Sequence, residues 1–481
     1  MPDSQCPIPN AQFPMPDSQC PMPNAQCPMP NVNMENLTVS IVLITHNRSY
    51  SLRRALDALQ LQTYPLELIE VRVVVDSCID DTLAMLEEYK ALFKLQIIEA
   101  NCRSVGMSRN VGALEATGQM LLFLDDDIEA MPCLVENHLR VHREHPGCAA
   151  IGPYPPKLQS RTKFFEVEVR TWWEEKFYQM SKPAHRYSYQ DLLCGNLSID
   201  TKLFASTGGF DSAFGPGTAY EDYEFALRLL KANVPFVAAP DAVGYHYEHE
   251  TNNLDRSFGR ARAEGRSDVL IGERHPEIKP ILRIKDYETP DALVDKILVA
   301  IVFLWPAGLD LLTIGLRKSL DWLEYMGMRG SWRWLRRRLL AYSYLRGVMD
   351  RLKSRSALAS FMQAGRASAD VNPREIEIDL REGWEAAERI MDEKRPDGIH
   401  FRYGEMAVGY VPPQLGMEPL RGVHLRSILA NTMSDKLLVA IALNGMPKSA
   451  AHSEPSLVDN TLLQHLQLCT VLDNKNLDNH S

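Results

Sequence analysis

Gln119-Met120-Leu121-Leu122-Phe123-Leu124-Asp125-Asp126-Asp127 is the stretch from which the fold can be read. Met120 to Leu124 form an unbroken apolar run between Gly118 and three carboxylates, the pattern of a strand buried on both faces in a parallel sheet. Side chains two apart on a strand share a face, so Asp125 and Asp127 can reach one point just past its end. Two hard oxygen donors aimed at one point suit Mg2+ or Mn2+, although a solvated acidic turn would read the same.

The flanking sequence repeats the pattern. Val39 to Ile44, Val71 to Val75 and Leu95 to Glu99 are further short apolar runs, and Ser51 to Gln60, Thr82 to Lys90 and Ser108 to Ala116 between them have helical spacing. This alternation predicts an α/β fold, a mostly parallel sheet with helices on both faces, whose ligands bind beyond the carboxyl ends of the strands. The residues that follow the strands therefore carry the information. They are Thr45-His46-Asn47-Arg48, then Asp76 to Thr82 with Asp80 or Asp81 placed to cap the next helix, then Gly106 to Gly112, then the carboxylates. No GxGxxG follows a strand and no GKS or GKT occurs, so dinucleotide and P-loop sites lose their main support.

Composition narrows the class. The chain has 481 residues, 45% hydrophobic and 24% charged, as expected of a globular protein of two or three domains. A formal net charge of −10 leaves no chain-wide basic field, so nucleic acid is not an expected partner. Nine cysteines include no CxxC pair, so neither zinc nor a disulfide framework is expected and a reducing setting fits. The N-terminus lacks the basic-then-apolar order of a signal peptide, and a cytoplasmic location follows as the expectation. Residues 1–14, MPDSQCPIPNAQFP, recur almost unchanged as 15–28; proline every few residues and little apolar surface predict a disordered leader over 1–34. Thiol or metal capture by Cys6, Cys20 and Cys27 is the alternative to simple low-complexity expansion.

Thr45, Asn47 and Arg48, then Val75-Asp76 with Asp81-Thr82, Arg109-Asn110 with Gly112, and Leu124-Asp125-Asp126-Asp127 together resemble glycosyltransferase family 2. The resemblance continues through Cys194 to Ile199, Gly208-Gly209-Phe210-Asp211 and Glu221-Asp222-Tyr223-Glu224, and covers 36–277. It implies the GT-A fold over 35–277 and a metal-dependent, inverting hexosyl transfer from a nucleotide-diphospho-sugar, with a UDP-sugar the first expectation. The acceptor would be a hydroxyl of a glycan, a lipid or a small molecule. By position in the family, Thr45, Asn47, Arg48 and Asp76 would form the nucleoside pocket, with Asp126 also at the donor. The turn-capping habit of Asn and Asp offers a plainer account of Asn47 and Asp76. Asp125 and Asp127 would be the DxD pair, Asp127 as metal ligand and Asp125 nearer the ribose. Arg109 would add positive charge or brace Asp76 or the DxD. Asp222 would be the general base, with Glu221 as runner-up, unless the pair merely caps a helix. His246, ahead of His249, would be a third ligand for Mg2+ or Mn2+. Ile79 departs from the small polar residue usual there, which puts donor preference in doubt. The alternative reading is a non-catalytic nucleotide-sugar-binding or membrane-surface scaffold protein on the same fold.

Arg161 to Gln190 is rich in aromatics, including Phe164, Phe165, Trp172, Trp173, Phe177 and Tyr178, which suit core packing or stacking on an acceptor sugar. Ile297 to Leu316 has the length of a membrane span with Asp310 as its only charge, but Pro306, Gly308 and Asp310 interrupt it. Arg317 to Arg355 holds eleven Lys or Arg against three Asp or Glu. A basic flank and a cytoplasmic catalytic half cannot both be satisfied by one span, so 278–365 is expected to be helical and either to lie at an anionic membrane interface or to pack on the core. Leu335, Leu339, Tyr342, Leu345, Met349 and Leu352 would form the apolar side of an amphipathic helix. A small α/β region is predicted over 366–450, with a strand at Glu375 to Leu380, a helix at Trp384 to Lys394 and a strand at Met406 to Val411, and a polar tail over 451–481.

Overall fold

The computed structural model describes residues 37–157, 163–247, 253–288, 290, 292–368 and 373–446. The N-terminal repeats, the polar tail and His249 lie outside the described residues. The chain divides into two compact units, Met1–Ser181 with Tyr189–Asp370, and Lys182–Ser188 with Val371–Ser481.

The first unit is built on strands β1 (Val39–Thr45), β2 (Ile69–Asp76), β3 (Lys94–Ala100), β4 (Met120–Asp125), β6 (Ala149–Ile151), β7 (Asn196–Asp200) and β8 (Phe236–Ala238). They form one sheet in the order β3-β2-β1-β4-β7-β6-β8, in which β7 alone runs against its neighbours. Met120 to Leu124 are all buried, as an inner strand covered on both faces requires. A short ladder of β5 (Ile128–Ala130) and β9 (Gly244–His246) stands beside this sheet.

Helices α1 (Ser49–Leu59), α2 (Thr82–Glu88) and α3 (Val105–Leu114) connect the first four strands, within a few residues of the positions that periodicity predicts. Of the two candidate caps for α2, Asp80 serves: its carboxylate accepts from the Thr82 N–H at 3.2 Å and the Thr82 hydroxyl at 2.6 Å. Later helices of the unit are α4 (Leu134–Glu144), α5 (Phe164–Met180), α6 (Thr201–Ser206), α7 (Glu221–Lys231), α8 (Leu254–Arg274) and α9 (Lys285–Glu288). They are followed by α10 (Leu293–Leu304), α11 (Pro306–Tyr325), α12 (Arg329–Leu352) and α13 (Arg355–Ser368).

The long apolar run from Ile297 is not one helix. Trp305 leaves the helical conformation, at φ −142° and ψ 60°, and Pro306 starts α11 in the first-turn position where its missing N–H costs nothing. Among the described residues no helix is long and apolar enough to cross a membrane. The predicted apolar side of α12 is used internally: Leu339, Tyr342 and Leu345 are buried, and the helix crosses α8 closely enough that a Cβ on Gly265 would stand 2.0 Å from the Tyr344 carbonyl oxygen.

In the second unit, β10 (Glu375–Asp379), β11 (Gly398–Tyr403) and β12 (Met406–Val411) form a three-stranded sheet. Its core, with Trp384, Met391, Phe401, Leu425 and Leu437, is closed by α14 (Trp384–Lys394), α15 (Leu425–Thr432) and α16 (Ser434–Asn444). β11, α15 and α16 are additions to the predicted elements.

Candidate active site

Thr45, Asp76 and Asp125 end three neighbouring strands at one edge of the sheet; the register sets Thr45 beside Val75 and Ile44 beside Asp125. The chain lays β2 and β3 on one side of β1 and then returns to place β4 on the other. Such a reversal opens the crevice in which open parallel sheets bind ligands.

The first two post-strand loops are tied to each other. Asn47 sits at φ 54°, a left-handed conformation that asparagine tolerates better than most residues, and its side-chain oxygen accepts from the Ile79 N–H at 2.8 Å. His46 Nδ1 lies 2.6 Å from the Asp76 carbonyl oxygen. Asp76 is buried and takes the N–H groups of Cys102 and Arg103 at 2.9 and 3.0 Å and the Ser108 hydroxyl at 2.9 Å. Asn47 and Asp76 thus hold turns, the plainer role the sequence also allowed.

The three carboxylates diverge. Asp125 accepts from Arg109 at 3.0 Å, and the other terminal nitrogen of Arg109 donates to Glu221, also at 3.0 Å. Of the two bracing partners the sequence allows, Asp76 and the DxD pair, Arg109 bonds the latter, through Asp125. Burial disfavours its charge, but Asp125, Glu221 and Asp222 outweigh that and hold its pKa above the ordinary value. Asp126 is buried against Arg48, which donates to it at 2.9 Å and lies 3.5 Å from Asp127. Burial raises the Asp126 pKa, with Arg48 and the Thr45 hydroxyl acting against it.

Asp127 meets His246. The pairing of Ile128 with His246 in the β5–β9 ladder brings the imidazole Nε2 to 3.2 Å from the Asp127 carboxylate, although 119 residues separate them in the chain. The Tyr247 N–H donates to the Asp127 carbonyl at 2.9 Å and fixes the same corner. Tyr154 packs its ring on His246 with centroids 5.8 Å apart, and Trp173 and Phe177 close over Tyr154 at 4.9 and 5.2 Å. Those two aromatics of α5 belong to the packing around His246, whereas Trp172 and Tyr178 face outward.

Glu221 and Asp222 open α7 but do not cap it. Tyr220 occupies the cap position at φ 65°, a conformation that strains a bulky residue, and stacks on Tyr223 at a centroid distance of 4.5 Å. The helix is fixed behind them by Phe225, whose ring meets Phe204 and Phe210, while Phe123 of β4 meets the same two rings. One apolar cluster therefore sets the end of β4 and the start of α7 relative to each other. Asn110 adds a clamp, accepting from the Phe210 N–H at 2.9 Å and donating to its carbonyl at 2.8 Å. Burial pushes the Asp222 carboxyl above its usual range and the charge of Glu221 adds to this, with Arg109 and Arg260 opposing.

Two participants escape the sequence reading. Tyr154 follows β6 just as the predicted residues follow their strands, so the same rule finds it once that short strand is recognised. Arg260, an exposed residue in the second turn of α8, reaches the site only as a charge near Asp222, and no spacing or motif marks it.

The sheet order and the crevice beside β1 and β4 define the first unit as an α/β domain of the GT-A type. Residues 40–206 match the family model described as glycosyl transferase family 2. Validoxylamine A glucosyltransferase of Streptomyces hygroscopicus subsp. jinggangensis is 29% identical over 237 residues, 44% of this chain and 56% of that protein. An uncharacterized glycosyltransferase of Haemophilus influenzae is 29% identical over 201 residues, 40% of this chain and 62% of that protein. The chain thus spans less than two thirds of the length of these relatives. Among solved structures, a mannosyltransferase from Pyrobaculum calidifontis in complex with GDP-Man and Mn2+ is 18% identical, with a TM-score of 0.43 over 66% of this chain and 88% of that one.

Proposed function

We propose that this chain is a metal-dependent, inverting glycosyltransferase that moves a sugar from a nucleotide-diphospho-sugar, a UDP-sugar first, to a hydroxyl acceptor. The observation that carries the proposal is the Arg109 bridge. One buried guanidinium joins Asp125, at the donor edge of the sheet, to Glu221, next to Asp222 on α7. Donor-side and proton-accepting groups are thereby held in one charge network.

For a divalent cation the chain supplies Asp127 and His246, an oxygen and an imidazole nitrogen that suit Mn2+ or Mg2+. Asp125, the other candidate, is turned to Arg109, and among the described residues no three metal-capable side chains converge. Asp125, Asp127 and Glu221, joined by Asp126 and Asp222 when these are ionised, outnumber Arg48 and Arg109, so the crevice favours a cation. Its remaining coordination would come from the donor phosphates. A cation bound there would offset charge on the departing diphosphate.

Asp222 takes the proton of the acceptor hydroxyl as its oxygen bonds to the anomeric carbon. The bond from that carbon to the nucleoside diphosphate breaks on the opposite side, and configuration inverts. A base near neutrality suits this task, and the raised pKa of Asp222 moves it in that direction. Thr45, Asn47, Arg48 and Asp76 line the edge where the nucleoside would lie, and Arg48 is placed to keep Asp126 and Asp127 apart from each other's charge.

The test is turnover of a panel of UDP- and GDP-sugars with Mg2+ or Mn2+, wild type against Asp222→Asn. The expected result is metal-dependent turnover that falls by about 10²- to 10⁴-fold in the variant. Equal rates would remove Asp222 as base; binding of a donor without turnover would leave a nucleotide-sugar-binding module instead.

A further inference from the structure

The inner side of α11 is packed: Leu320 and Leu323 are buried with Phe165, Phe258, Trp332 and Leu339. Its outer side is apolar too. Leu311, Ile314, Trp322 and Tyr325 recur at helical spacing on one face and are 74, 58, 56 and 86% exposed. On α10, Leu293, Ile297 and Leu304 repeat the arrangement at 71, 49 and 82%. A helix on a protein surface ordinarily carries one apolar stripe, and the second stripe here calls for a second apolar partner.

The charges around this surface identify the partner. Lys318 lies along the outer side of α11, and Arg329 and Arg337 stand at the turn into α12 and on its first turns. All three are exposed and make no ion pair with any described residue, and Asp321 is the exposed carboxylate among them. Trp322, Tyr325 and Trp334, rings with an apolar body and a polar edge, are exposed at the same end. Apolar anchors with aromatic and cationic neighbours fit the boundary between acyl chains and anionic headgroups. A second copy of the chain would instead set these cations against their own counterparts.

We propose that the outer face of α10 and α11, with the turn into α12, docks this protein on an anionic lipid surface, lying in the interface without spanning it. The surface differs from the α12 stripe that periodicity suggests, because that stripe is spent on α8. The proposal is independent of the chemistry assigned to the crevice.

The experiment is co-sedimentation of the full chain with vesicles of phosphatidylcholine alone, or mixed with phosphatidylglycerol, at low and high salt. Wild type should pellet with the mixed vesicles and be released by salt. Trp322→Glu with Tyr325→Glu should weaken partition by roughly tenfold or more, from the loss of two anchors. Lys318→Glu with Arg337→Glu should remove the salt-sensitive part, with thermal unfolding of both variants unchanged. Wild type that stays in solution with mixed vesicles overturns the proposal, as does equal partition of the variants. So does a wild-type dimer that the Trp322→Glu variant turns into a monomer, which would assign the face to a second copy.

Discussion

At the scale of single residues, the crevice turns on Asp222 and Arg109. A carboxyl whose pKa is raised keeps its proton to higher pH than an ordinary aspartate, so the base form appears late as pH rises. The acid limb of kcat/KM should therefore lie above the ordinary carboxylate range of about 4. Glu221→Gln removes a like charge that contributes to the shift, and its acid limb should move to lower pH; an unmoved limb in pH–rate profiles would show that another group titrates. Arg109→Lys keeps the charge but cannot hold two carboxylates in a fork, and should cost more than tenfold in kcat with the chain still folded. That Asp222 stands at the start of a helix was legible in the sequence. The partners of Arg109 were not, because Asp125 and Glu221 lie 16 and 112 residues away in the chain.

Among the elements, the crossing of α8 and α12 sets how the helical segment is held. A Cβ on Gly347 would come within 1.9 Å of the Arg262 carbonyl oxygen, as close as that on Gly265 to the facing backbone. Neither main chain can yield like a flexible side chain, so Gly347→Ala should destabilise by about 1–3 kcal/mol or more in urea unfolding. An unchanged midpoint would mean that the helices separate freely. β2 carries a second device. Burial would raise the Glu70 pKa, but hydrogen bonds from Lys94, Ser40 and Thr117 outweigh it and hold the carboxyl at about 2. The folded-state value lies below the unfolded one of 4.5, so this stabilisation is present above pH 4.5 and is lost as pH falls toward 2. Glu70→Gln should cost about 1–3 kcal/mol at neutral pH, and the gap to wild type should close in acid; a pH-independent gap would contradict the assignment. The strands were readable because period and burial agree in them, whereas the packing side of α12 depended on which of its neighbours needed an apolar face.

Over the whole molecule, the two units are not successive along the chain. Residues 182–188 leave the first and belong to the second, where Arg186 donates to the carbonyl oxygens of Glu418 and Asp397 at 2.9 and 3.3 Å. Tyr187 accepts from the Glu418 N–H at 2.8 Å. Arg186→Ala leaves those part-buried acceptors unmet and should lower the stability of the second unit by about 1–3 kcal/mol, seen as faster amide exchange in 398–411. Exchange as slow as in wild type would show that the strap only rests on the unit. Nothing in the spacing of Lys182 to Ser188 marks that segment as part of a domain that resumes at Val371.

The apolar run that ends in Asp125-Asp126-Asp127 and the alternation around it determined the class of fold and the sheet edge at which Thr45, Asp76 and Asp125 stand. Those features are local: a strand buried on both faces and a helix with one apolar side must show it in consecutive residues. Tertiary structure alone decided that Asp127 meets His246, that Asp125 is held by Arg109, and that α11 keeps an unused apolar side. Each of these depends on which distant segment arrives at a given place, and the pairing of a sheet or the crossing of two helices fixes that without leaving a period in the sequence.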